Sequence, residues 1–158
     1  MINLRLEADF TEKDIEKIIE DFINRLVRVI KANLDQIALE MVSDARLKTK
    51  SQGGFDDDTG NLRSSIGYVL MLDGEVITED FELSDKGTDK QTGIETGKKV
   101  AGEIASEESE GWAIVLVAGM DYAYFVEAKG YDVITGATSS ATAKLNKAMQ
   151  NIINAFKE

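Results

Sequence analysis

No glycine or proline occurs before Gly53, and the stretch that precedes it carries a helical hydrophobic period from end to end. Apolar side chains recur at Ile15, Ile18, Ile19, Phe22, Leu26, Val29, Ile30, Ile37, Met41 and Ala45. Those spacings of three, four and seven keep one face apolar. Thr11 is a good N-cap with Asp14 three residues on, and Phe10 and Ile15 occupy the positions of a hydrophobic staple. The pattern predicts a helix over about residues 12–47, which at 1.5 Å per residue is ~54 Å long. The width of a small domain is only ~30 Å. Such a helix either bends or breaks, is wrapped by its own sheet, or packs part of its apolar face against another chain. Leu34, Ile37 and Met41 are the candidates for that surplus face.

The remaining segments predict a sheet. Residues 48–58 are polar and glycine-containing, and Asp58 or Thr59 could cap a short helical turn over 60–64. Ile66–Leu72 is rich in strand formers, Asp73-Gly74 is a strong hairpin signal, and Glu75–Leu83 returns as a second strand. Residues 84–93 read as a mobile acidic loop, followed by a short helix over about 95–108. Trp112–Gly119 is nearly continuous apolar sequence and predicts the central strand. Tyr122–Glu127 reads as a short strand or helical turn, Tyr131–Ile134 as another strand, and Gly136–Ser140 opens a final helix to about Phe156. The expectation is a single α+β domain over 1–158, with a small mainly antiparallel sheet whose helices, the long N-terminal and the C-terminal one, pack on one face.

Composition removes whole classes of function. The chain has no Cys and no His, which excludes disulfides, thiolate nucleophiles, histidine-dependent triads and His- or Cys-ligated zinc. No apolar run approaches the ~20 residues that span a bilayer, and residues 1–7 lack the pattern of a secretory leader. Eighteen basic residues oppose 29 acidic ones, for a net charge of −11. Residues 1–50 carry 9 basic and 10 acidic residues and residues 131–158 carry 3 and 2, whereas residues 51–130 carry 6 and 17. The acidity is therefore concentrated in the middle of the chain, where it would repel a phosphate backbone and argues against sequence-specific nucleic-acid binding. Its simplest role is solubility.

Several short motifs invite chemistry and are better read as structure. Asp58-Thr59-Gly60 is the tripeptide of aspartic proteases, but it follows Phe55-Asp56-Asp57 rather than the apolar strand that buries a catalytic dyad. Asp56, Asp57 and Asp58 lack the alternation of a calcium loop. Gly97-Lys98-Lys99 lacks the glycine spacing of a phosphate loop. Tyr122, Tyr124 and Phe125 fit core or subunit-interface packing better than base stacking.

Two segments, Asp58-Thr59-Gly60-Asn61-Leu62-Arg63-Ser64-Ser65-Ile66 and Val117-Ala118-Gly119-Met120-Asp121-Tyr122-Ala123-Tyr124-Phe125-Val126-Glu127-Ala128-Lys129-Gly130, resemble signatures of the head–tail joining or tail-completion proteins of long-tailed bacteriophages. The motif positions carried over are Thr59, Gly60, Asn61, Leu62, Arg63, Ser65, Tyr122, Ala123, Val126, Glu127 and Gly130. The resemblance implies a structural virion protein that forms a ring with copies of itself, docks to neighbouring neck or tail proteins, and resides in the virion after assembly in the host cytoplasm. It implies no catalysis and no cofactor. Beside it, Arg63 is positioned in sequence to meet a carboxylate such as Glu127 bidentately. Ala128-Lys129-Gly130 and the long acidic insertion at 84–110 depart from the family pattern, and in a ring that loop could face the channel. The alternative function is an acidic interaction module that mimics DNA; an aspartic hydrolase ranks third.

Overall fold

The capping signal and the unbroken period produce the helix they predict. In the computed structural model, which describes residues 10–107 and 110–157, α1 spans Glu12–Leu47. The Asp14 amide donates to Thr11 Oγ1 at 3.3 Å and the Thr11 amide to Asp14 Oδ2 at 2.8 Å, closing a reciprocal cap. Residues 1–7, read above for a leader, lie outside the described residues.

Beyond a 3₁₀ turn at Lys50–Gln52, the elements are α2 (Asn61–Ser64), β1 (Ile66–Leu72), β2 (Glu75–Phe81), α3 (Lys90–Ala105), β3 (Trp112–Ala118), α4 (Ala123–Ala128), α5 (Thr135–Ser139) and α6 (Ala141–Ala155). The three strands form one antiparallel sheet in the order β2-β1-β3. Asp73 and Gly74 both take positive φ, 50° and 80°, the mirror-image turn that matches strand twist in a two-residue hairpin. The β1–β2 register slips between Leu70 and Met71, so that Leu70 faces Thr78 and Met71 faces Val76.

The α+β expectation holds, but the centre of the sheet does not lie where the apolar run placed it. Among the described residues β1 is central, and β3 is an edge strand paired only with β1, from Ile66 opposite Ala118 to Leu72 opposite Trp112. A continuous apolar strand needs two covered faces, not two neighbours. β3 has both: Val115 and Val117 meet Val69, Met71, Ala101 and Ala105 beneath α3, while Ile114 and Leu116 join Ile37, Met41 and Leu70 beneath α1. Helices therefore pack on both faces rather than one. The C-terminal α6 runs back along α1, with Lys144 bridging to Glu40 and Asp44 and Phe156 edge-on to Phe22 at 5.4 Å.

Three local readings are corrected. α3 begins at Lys90 rather than near Glu95, because Gly93 and Gly97 serve as close-approach sites inside it. A Cβ on Gly93 would lie 2.1 Å from the Asn61 carbonyl oxygen, and one on Gly97 would lie 2.6 Å from that of Ser65. Tyr131–Ile134 makes no strand: the Asp132 amide donates to the Gly53 carbonyl, and those of Val133 and Ile134 donate to the Glu127 carboxylate. The final helix is two, since the hydroxyls of Thr138, Ser139 and Ser140 return to carbonyls three residues back where α5 stops.

Candidate docking surface

The two signature segments, separated by 50 residues of chain, are brought into one block. Gly60 adopts a left-handed conformation and starts α2. Asp57, rather than Asp58 or Thr59, caps the turn: its carboxylate accepts the Gly60 amide at 3.0 Å and the Arg63 amide at 2.7 Å. Asn61 is the meeting point. Its Oδ1 accepts the hydroxyls of Thr59 and Tyr122, and its Nδ2 reaches Asp89 at the head of α3. Burial and nearby Asp57 raise the Tyr122 hydroxyl above its ordinary pKa, which keeps it a donor. The Gly119 amide donates to the Ser65 carbonyl at 3.2 Å, a second link between the segments. Leu62 and Ala123 are buried and Val126 is half-buried in the core beneath this junction.

The expected Arg63–Glu127 pair is absent. The Arg63 guanidinium instead donates to the carbonyls of Arg46 and Phe55, the latter at 2.7 Å, and lies 4.6 Å from the Phe55 ring centroid. It ties the end of α1 to the motif loop. Glu127 accepts the amides of Val133, Ile134 and Thr135, at 3.3, 2.9 and 3.0 Å, together with the Thr135 hydroxyl. Burial pushes its pKa up, but these four donors outweigh burial and hold it below the ordinary glutamate value. Gly130, left-handed, closes the turn after α4. The guanidinium and the carboxylate each found backbone partners nearer in the chain, which pairwise charge reasoning does not anticipate.

The surplus apolar face also lies elsewhere. Leu34, Ile37 and Met41 are 7, 6 and 5% exposed, buried against the chain's own sheet. The opposite end of α1 is bare: every residue from Phe10 to Arg25 is exposed, including Ile15, Ile18, Ile19, Phe22 and Ile23, with Ile18 at 68%. α6 reaches back only as far as Phe22, so the first turns of α1 project beyond the last helix that flanks them. An isolated helical segment of that length is marginal in water. Tyr124 and Phe125 of α4 form a smaller exposed aromatic pair, edge-on at 5.8 Å, and are not core. The periodic pattern contained Ile15, Ile18, Ile19 and Phe22, but it carries no information about which turns the sheet will cover.

An open cleft of about 900 Å³ separates the end of α1 from the loop after β2. Three of the six carboxylates at its walls have partners: Asp56 pairs with Lys50 at 2.8 Å, Glu82 with Arg46 at 3.3 Å, and Asp57 caps α2. Asp58 is exposed, unlike a catalytic dyad member. Among the described residues no three acidic side chains converge in a way that could hold a metal ion, and no helix is long and apolar enough to cross a membrane.

Comparison of the chain with family models, with curated proteins and with solved structures gives no match.

Proposed function

We propose that this protein is a structural component of a long-tailed phage or prophage particle, joining head to tail or completing the tail by self-association and docking. The observation that carries the reading is the junction at Asn61: the two segments on which the resemblance rests, Asp58–Ile66 and Val117–Gly130, meet through the Tyr122 hydroxyl on Asn61 and the Gly119 amide on Ser65. Motifs that build one block behave as a single structural unit, as a family scaffold requires. The large exposed apolar face of α1 supports a life spent in contact with other chains, since apolar patches of this kind mark interaction sites. In an assembled ring the contacts run head to tail around a closed circle. The role asks for shape and adhesion, and no chemical step is assigned to any side chain.

The test is genetic and direct. Deleting the gene from an inducible phage genome that carries it should leave heads and tails unjoined in electron micrographs and remove infectivity, with both restored by the wild-type chain. Unchanged titre and intact particles would sink the proposal. A chain that stays monomeric and instead captures a basic DNA-binding protein in competition with DNA would favour the acidic-mimic reading.

A further inference from the structure

The exposed end of α1 is complementary to itself. Ile15, Ile18, Phe22, Leu26 and Val29 follow one another at intervals of three, four, four and three, a pattern symmetric about Phe22. Beside this stripe, Asp14, Asp21, Arg25 and Arg28 fall at intervals of seven, four and three and so share one flank of the helix. This part of α1 is also polarised along its length. Residues 12–21 hold five acidic and two basic side chains, whereas residues 22–31 hold Arg25, Arg28 and Lys31 and no acid.

We infer that two copies of this chain pair through the N-terminal half of α1 as an antiparallel, two-fold symmetric helix pair centred on Phe22. Reversing one copy about Phe22 brings Ile15 opposite Val29 and Ile18 opposite Leu26, and it sets Asp14 near Arg28 and Asp21 near Arg25. A parallel arrangement turns this flank toward the partner's other flank, where Glu12 and Glu16 lie beside Asp14, and the opposite-charge pairs are lost. The charged row thus selects the orientation and the apolar row sets its centre, and together they fit a second copy of this chain. The receiving surface is built for it. Leu26 and Val29 are half-exposed, and Met149 and Ile153, each 41% exposed, add apolar surface on α6, the helix that runs along α1. Phe22 itself remains 50% exposed although Phe156 of its own chain covers one edge. The pairing is isologous, so it caps the exposed helix of both partners at once and closes at two. It stands independently of the virion reading and would hold for a protein of any role.

The absence of Cys makes the test clean, because an introduced thiol is the only one in the chain. Phe22→Cys should cross-link to itself under mild oxidation, while Lys13→Cys, far from the symmetry centre, should not. Light scattering across a concentration series should give a dimer whose dissociation constant rises at least tenfold in R25E/R28E. Mixing R25E/R28E with D14K/D21K should restore association as a heterodimer, a rescue that a folding defect cannot imitate. A monomer at every concentration, equal cross-linking at positions 13 and 22, or charge reversal without effect overturns the inference. Rings that form without the Phe22→Cys cross-link would overturn it too, while leaving the proposed virion role in place.

Discussion

α1 contains two halves written in the same hydrophobic code with opposite fates. From Leu34 to Ala45 the apolar residues other than Leu39 lie against the sheet and α5; from Phe10 to Arg25 equivalent residues face solvent. Amphipathic spacing specifies that a face will be covered and is silent on what covers it. The difference between the halves is tertiary: three strands of seven residues are too short to lie along the whole of α1.

The sharpest way to break this contrast is to truncate one side chain in each half. Ile37→Ala should lower unfolding free energy by about 2–5 kcal/mol in urea titrations, the cost of a cavity in a packed core. The same two-ended logic applies to α3, where Gly93 and Gly97 press on the motif backbone and a Cβ on Gly102 meets nothing within 4 Å. Gly93→Ala should therefore destabilise by about 1–3 kcal/mol through overpacking. Glu127→Gln tests how firmly the four donors hold the carboxylate. Because its pKa lies below the ordinary value of 4.5 in the folded chain, its stabilisation is complete above that value and fades as pH falls through the lower folded one. The variant should be about 1–3 kcal/mol less stable at neutral pH, with the gap to the parent closing in acid. Gly102→Ala, in contrast to Gly93→Ala, should stabilise by about 1 kcal/mol. The smallest effect belongs to Ile18→Ala, within about 0.5 kcal/mol at concentrations low enough to keep the chains apart. A core-sized loss there would show that the two halves are not different after all.

Features governed by local chemistry were legible in the sequence. The Thr11–Asp14 cap, the Asp73-Gly74 turn and the limits of α1, β1 and β3 follow from neighbours a few residues apart. Features decided by distant backbone were not. Gly93 and Gly97 look like helix breakers until Asn61 and Ser65 are seen to need their missing side chains. Glu127 and Arg63 look like partners until the carbonyls before Arg63 and the amides after Glu127 claim them first. The exposed stripe of α1 was visible as a stripe, and its symmetry about Phe22 was in the sequence as well. What the sequence lacked was where the sheet and α6 lie along α1, which decides which turns are left bare.

The placement of β1 between two strands of unequal distance in the chain bears on how the protein is made. β2 follows β1 after a two-residue turn, whereas β3 is complete only after some 40 further residues have been added, on the order of 2–8 s at roughly 5–20 residues per second on the ribosome. During that interval the newborn hairpin carries Ile66, Tyr68 and Leu70 beside a row of unanswered amides, the kind of edge that recruits other strands. α3 emerges in time to blanket Val69 and Met71 but offers no hydrogen bonds to that edge. Translation slowed within α3 should lengthen this window and lower the soluble yield, whereas a pause after β3 should leave it unchanged.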